Sequence, residues 1–347
     1  MGRPALEYRR RRTTGDCGQI AAGRPPRWLL LAMTLLLFAV WGNSFVAIGH
    51  LLGADARAAR FDWQTLAQAR YLPVGLCCLA WCLLRGRTDT ARVLRRRPLR
   101  AAIGGLCSVP IYGFALFYGQ GSGVSAPVAS LATALCPIFV IALASGFLGE
   151  RMSSGQWLGV LVALSGVLVL AIGGTVSAPR PDYPLSLAAI FVAPLAWATF
   201  TIMSKPVVAQ VGPVTWNATT LAAGGLLILP FGLNETWSHL RQLDAAGWAW
   251  LAYLILPCTL IGSAIWFWLL RYLDATTVGM TVFLNPPITT LSKLILSRIS
   301  SDFSYSISLT DGVGGILALI GLAITVWPKS RVSMRLEVQR ARPPRHE

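Results

Sequence analysis

Acidic side chains are scarce in this chain. Of 347 residues, 14 are Asp or Glu and three are His, against 30 Lys and Arg. Charged residues of both signs make up 13%, about half the roughly 25% usual in soluble domains. No Asp, Glu or His falls deep inside a long apolar run; His50 stands only at the mouth of the first. Catalysis at a membrane face would want paired carboxylates or a His/Asp/Glu cluster. The acids of the outer loops (Asp55, Asp62, Asp182, Glu235 and Asp244) are scattered. A membrane-embedded enzyme is therefore the least favoured class, and proton coupling lacks its usual buried carboxylate. The coupling ion is left unassigned. Cysteine is equally uninformative as a ligand: six of the seven lie inside apolar runs, where a thiol is a small packing group. Cys78 and Cys82 share a helix face but have no His or carboxylate beside them. Neither a metal site, a disulfide framework nor a cofactor is expected.

Hydrophobicity is what the chain has in quantity. Apolar residues make up 54%, and the mean hydropathy is +0.59. The pattern is that of an all-α integral membrane protein. A basic segment up to Arg27 precedes the first run, which is too long for a signal peptide and lacks a small-residue cleavage site. It reads as a retained span. Ten spans are expected, near Trp28–Gly49, Thr65–Leu84, Leu99–Gly119, Ala126–Leu148, Gln156–Ile172, Leu185–Ser204, Pro213–Leu233, Trp248–Leu270, Thr276–Leu296 and Asp311–Trp327. Residues 1–27 and 328–347 form basic tails. The net charge of +16 is concentrated in these tails and one loop, at the ends of apolar runs, so no nucleic-acid partner is expected. With the N-terminus inside, 23 basic residues face the cytoplasm; Arg57, Arg60, Arg180, Arg241 and Arg298 face out. The positive-inside rule then puts both termini in the cytoplasm of a multi-pass cell-membrane protein.

An internal repeat organises the spans. The stretch from Ala126 to Glu150 is an apolar run with Pro137 near its centre, where the helix must open or kink. Ala275 to Ile299 places Pro286 in the equivalent position, and the alignment sets Ser125 on Asp274 and Leu135 on Leu284 without a gap. Glycine pairs follow at the same spacing, Gly159/Gly166 and Gly314/Gly321, after about six extra residues near Ser301 to Ser306 in the second copy. Trp41 has its counterpart in Trp197. Two halves result, 28–172 and 185–327, joined by a 173–184 linker. Five spans per half is an odd number, so the halves are oppositely oriented: inverted repeats around a central cavity, the architecture of secondary transporters.

WGNSF (Trp41 to Phe45), Arg70, and Pro137…Leu148-Gly149-Glu150 followed by Gly159 and Gly166 resemble the drug/metabolite transporter superfamily, EamA type, over about 28–327. The resemblance implies a ten-span carrier whose cavity is lined mainly by spans 1, 3, 4, 6, 8 and 9. It also implies export of amino acids, metabolites or drugs, with some importers. One departure is visible: the ninth span ends in Arg298-Ile299 where the family repeats Gly-Glu.

Arg70 and Lys293 are the basic residues well inside spans, and such charges are functional candidates by default. Both are placed in the outer half, where long side chains either snorkel or give a vestibule a positive field that attracts an anion. Trp41, Asn43, Ser44, Tyr112, Gln120, Trp197, Thr201, Asn217 and Asn285 are further candidates for holding a solute, or else bond neighbouring helices. Pro137 and Pro286 are candidate hinges. Glu150 is a candidate gate, or a helix-end charge paired with Arg151 or a loop arginine. The expected function is a secondary transporter, an exporter of a small metabolite, amino-acid-like solute or drug by alternating access. The alternatives are a lipid or lipid-carrier flippase of the same fold and a non-transporting scaffold or sensor. The bilayer and a small-molecule solute are the expected partners; oligomeric state does not follow.

Overall fold

The structure, a computed structural model, describes residues 25–53, 61–150, 152–173, 183–231, 238–299 and 309–340. Most of the N-terminal tail, nearly all of the 173–184 linker, the spacer Ser301 to Ser306, Arg151, and the outer arginines Arg57, Arg60 and Arg180 lie outside the described residues. All regular elements among the described residues are helical. This is the outcome that apolar runs dictate, because a helix satisfies its backbone groups within one segment.

Helix α1 spans Arg27–Leu51 and α2 spans Trp63–Leu84. The carboxylate of Asp62 caps α2, accepting the amides of Gln64 and Thr65 at 2.8 and 2.9 Å, which satisfies donors that a helix start leaves open. A short arginine-rich helix, α3 (Arg87–Arg96), leads into α4 (Pro98–Gly121), α5 (Ala126–Phe147) and α6 (Ser154–Gly173). Next come α7 (Tyr183–Val211) and α8 (Pro213–Leu227). They are separated by Gly212 alone, at φ 87°, a left-handed conformation that glycine adopts without strain. Then follow α9 (Ala245–Tyr272), α10 (275–299) and α11 (Leu309–Arg340), the last running on past Trp327.

Among the described residues, six helices are long and apolar enough to cross a membrane: α1, α2, α4, α5, α9 and the Pro184–Val211 part of α7. Four expected spans fall short of that standard, and the reasons are physical. Apolar stretches of α6 and α11 are shorter, Ser154–Val169 and Gly312–Thr325. Helix α8 has 15 residues. Helix α10 carries Asn285, Thr289, Thr290 and Lys293, all buried, so its polarity is spent inside the protein and lowers its hydropathy.

Proline shapes four of these helices. Helix α4 widens into a π turn over Cys107–Ile111 around Pro110, and α9 does so over Leu254–Ile261 around Pro257. Such a turn absorbs the donor and the space that proline removes. Helix α5 divides into Ala126–Thr133 and Cys136–Phe147. Helix α10 tightens to a 3-10 turn over Thr281–Leu284, then resumes at Asn285. Pro137 and Pro286 thus sit in the first turn of a new helical segment, where a missing N–H costs little.

The aligned glycine pairs meet one another. A Cβ on Gly159 would lie 2.7 Å from the Gly321 carbonyl oxygen, and one on Gly166 would lie 2.6 Å from that of Gly314. Helices α6 and α11 therefore pack backbone to backbone, as small-residue stripes allow in lipid. Gly149, at φ 66°, turns the chain at the end of α5 and delivers Glu150 to the start of α10. There the Glu150 carboxylate accepts the amides of Ala275 and Thr276 at 3.1 and 3.0 Å and the Thr276 hydroxyl at 2.5 Å. An anion at a helix N-terminus meets both free donors and the positive end of the dipole. Lys205 of α7 closes the same corner, its ammonium donating to the carbonyls of Leu270, at 2.6 Å, and Leu273 at the end of α9.

Two outcomes follow from these contacts. Gly321→Val should lower folded stability by about 1–3 kcal/mol, read as thermal unfolding in detergent. Gly146→Ala, with nothing within 4 Å of its Cβ, should leave the transition in place. Glu150→Ala should cost about 1–2 kcal/mol by the same measurement, while Glu150→Gln, still an acceptor, loses less. Equal effects of the two would refute the cap.

Candidate functional site: a central aromatic cavity with one cation

The broken helices enclose a cavity with about 760 Å³ of empty space, its open mouth included. Of the residues singled out from sequence, Trp41 and Ser44 of α1, Arg70 of α2 and Tyr112 of α4 line it. So do Trp197 of α7, Asn217 of α8 and Asn285 of α10. The lining thus draws on α2 and α8 as well, the second and seventh expected spans, beyond the set that the resemblance implies.

Arg70 is buried to 6% exposure, so it does not snorkel. Its Nε donates to Thr259 Oγ1 at 2.8 Å, and the Thr259 hydroxyl donates to the Leu254 carbonyl at 2.7 Å. That carbonyl opens the α9 π turn, so the distortion around Pro257 builds the seat of the cation. The guanidinium carbon also stands 4.9 Å from the Tyr71 ring centroid and 5.6 Å from that of Phe117, within reach of cation–π attraction. Neither an acid nor a second basic residue is part of the lining among the described residues.

Indole rings form one wall. Trp41 lies 5.3 Å from Trp197 and 5.4 Å from Trp266, and Tyr112 lies 5.2 Å from Trp197, by ring centroids. Trp41 Nε1 donates to the Cys258 carbonyl of the π turn at 2.9 Å. Gly262 makes room for that indole, since a Cβ there would stand 3.1 Å from Trp41 Cδ1. Three polar atoms on the lining residues are buried without a hydrogen-bond partner: Trp197 Nε1, Asn217 Oδ1 and Asn285 Oδ1. Buried polar groups are normally paired, and these three have no partner within the described residues.

The remaining sequence candidates lie elsewhere. Gln120 is wholly buried and donates to the Phe45 carbonyl at 3.0 Å, tying α4 to α1. Thr201 is buried in α7, Asn43 lies on α1, and Lys293 is buried in α10; none lines the cavity. Pro137 and Pro286 are represented there by their preceding neighbours, Cys136 and Asn285. Glu150 lies at the α10 cap, outside the lining. Sequence reasoning missed Thr259, Cys258, Tyr71 and Ser108. A signal for three of them existed: Pro110 and Pro257 are a second pair of prolines, in the third and eighth runs, with Ser108, Cys258 and Thr259 within two residues. Nothing in the sequence marked Tyr71.

Chemically, the site offers one fixed positive charge, unpaired hydrogen-bond acceptors and an aromatic surface. It suits a small solute that combines an anionic group, a hydrogen-bond donor and an apolar body.

Comparison with known proteins places the whole arrangement. The EamA-like transporter family matches residues 27–172 and 184–327. A protein of Salmonella typhimurium named "Probable amino-acid metabolite efflux pump" is 27% identical, the match covering 85% of this chain and 94% of that one. A "Probable terminal-alkyne amino-acid exporter" of Streptantibioticus cattleyicolor is 26% identical, over 82% of this chain and 92% of its own. A solved crystal structure shares the fold with a TM-score of 0.61 at 18% identity, covering 88% of this chain and 99% of that one. The chain belongs to the EamA-like transporter family and is a multi-pass membrane protein.

Proposed function

We propose that the protein is a secondary transporter that exports a small amino-acid-like solute by alternating access. In this reading ten spans form two inverted repeats, 28–172 and 185–327, with both termini in the cytoplasm of the cell membrane. The observation that carries the proposal is the buried Arg70 guanidinium in a cavity whose lining holds no acid among the described residues. A solute carboxylate supplies the missing counter-charge, and a guanidinium fork receives it with two parallel hydrogen bonds. The free carbonyl oxygens of Asn217 and Asn285 accept the protons of an amino group. The indoles of Trp41 and Trp197 and the phenol of Tyr112 receive the apolar part.

The paired distortions support the repeat reading. Pro110 and Pro257 centre the two π turns, and Pro137 and Pro286 begin the second segments of α5 and α10. Discontinuous helices near the midplane are where such carriers place their sites. Gating in this scheme is unequal. In it, Glu150 caps α10 at one gate, whereas at the repeat-equivalent gate Ser125, before α5, makes no side-chain cap and Ile299 is 75% exposed. The Glu150 end is the firmer closure, and opening it breaks three hydrogen bonds. Amino-acid names among the relatives support the solute class.

Counterflow in proteoliposomes tests the proposal. A panel of amino acids should include at least one that exchanges, and Arg70→Gln should weaken its apparent affinity at least about thirtyfold, the cost of deserting one partner of a buried charge pair. Arg70→Lys should recover part of it, and Lys293→Gln, outside the lining, should stay close to wild type. The exchanging solute should also shield Cys258 from alkylation by N-ethylmaleimide. An Arg70→Gln protein that inserts normally and exchanges with unchanged affinity removes Arg70 from the site.

A further inference from the structure

The transport reading leaves one charged surface unused. Seven arginines lie between Arg85 and Arg100, with Asp89 as the single acid in that stretch. Asp89 is already engaged, its Oδ1 2.5 Å from Nη1 of Arg92. Arg95 and Arg96 are exposed at the end of α3. Arg97 and Arg100 are half-buried at the elbow between α3 and α4. There Arg97 Nη2 donates to Gln210 Oε1 of α7 at 3.1 Å. Arg100 Nη1 is buried and has no hydrogen-bond partner. Burial, and then the like charge of Arg100, pull the Arg97 pKa below its usual value. Two cations are thus partly withdrawn from water beside each other, with no carboxylate on either among the described residues.

Exposed leucines bracket these arginines in sequence. Leu84 is 80% exposed and Leu99 is 70% exposed, with Leu83 and Leu94 also exposed. All four adjoin the arginines in sequence, at the ends of the apolar helices α2 and α4 and on the short helix between them. A soluble partner would explain the charge or the leucines. A bilayer interface explains both, because apolar side chains there enter the acyl region while guanidinium groups stay at headgroup depth.

We propose that the α3–α4 elbow is a binding site for an anionic phospholipid, its phosphate held between Arg97 and Arg100 and its acyl chains along Leu84 and Leu99. The charge favours an anion, the fork geometry of arginine suits phosphate, and the adjacent leucines select a lipid over a free ion. Basic pockets between membrane helices recognise lipid headgroups in this way. Because Arg97 also holds Gln210 near the end of α7, the bound lipid rests where the first half of the chain meets the second. The site does not depend on what the cavity carries.

The test uses the full chain reconstituted in nanodiscs of phosphatidylglycerol and phosphatidylcholine, then extracted in mild detergent, with retained lipid measured by mass spectrometry. Wild-type protein should retain phosphatidylglycerol in excess over its share of the bilayer. R97Q/R100Q should lose that preference, by about fivefold per arginine removed, and L84S/L99S should weaken it. R241Q, a basic residue far away in the sequence, should keep it. If the double variant does not insert, R100Q alone serves, since the Arg97–Gln210 contact remains. Equal retention of the two lipids by wild type, or an undiminished preference in the arginine variant, overturns the proposal. Millimolar inorganic phosphate that displaces the retained lipid from wild type and L84S/L99S alike would show a simple anion site and overturn the lipid assignment.

Discussion

Inside a bilayer no water is present to bond a backbone group that proline has set free, and the centre of this protein follows from that constraint. Four helices distort or restart at a proline near their middle, and polar side chains from other helices meet backbone carbonyls in the same region. The Cys258 carbonyl takes the Trp41 indole, the Val40 carbonyl takes the Tyr253 hydroxyl at 2.6 Å, and the Gly42 carbonyl takes the Thr289 hydroxyl at 2.7 Å. Each bond joins α1 to α9 or α10. Trp41 belongs both to this set of ties and to the cavity lining.

Charge is distributed by a related logic. A lone carboxylate or ammonium in apolar surroundings is costly, and the structure gives several of its few charges a backbone or aromatic partner. Glu150 is met by the first amides of α10, Lys205 by the last carbonyls of α9, and Arg70 by a threonine hydroxyl and two rings. Helix ends serve as counter-charges where opposite side chains are lacking. Arg70 differs from the other two because, among the described residues, no helix end faces it and it borders open space. That leaves net positive charge on the cavity lining.

Much of the fold was legible because its causes are local. Apolar run length, proline position and glycine spacing anticipated helical elements where the structure has them, and the aligned glycine pairs turned out to touch one another. The polarity of α10 shows the limit of that reading. Asn285 and Lys293 depress its hydropathy, yet both are buried, a fact that depends on the surrounding helices. The candidate residues divided for the same reason. Ser44 and Asn43 are neighbours on α1, but only the first faces the cavity; Gln120 serves the helix contact and Asn217 the open space.

By itself the sequence determined which segments are apolar, where their helices must break, and that charge is almost excluded from their interiors. These depend on residue type and spacing alone. Only the tertiary structure decided that Arg70 sits on a π turn beside Tyr71, that Trp41 meets Trp197, and that Glu150 caps a helix 125 residues further along the chain. Those outcomes rest on the angle and depth at which helices cross. In lipid that geometry is set by close packing of small residues and by which freed backbone group each polar side chain can reach.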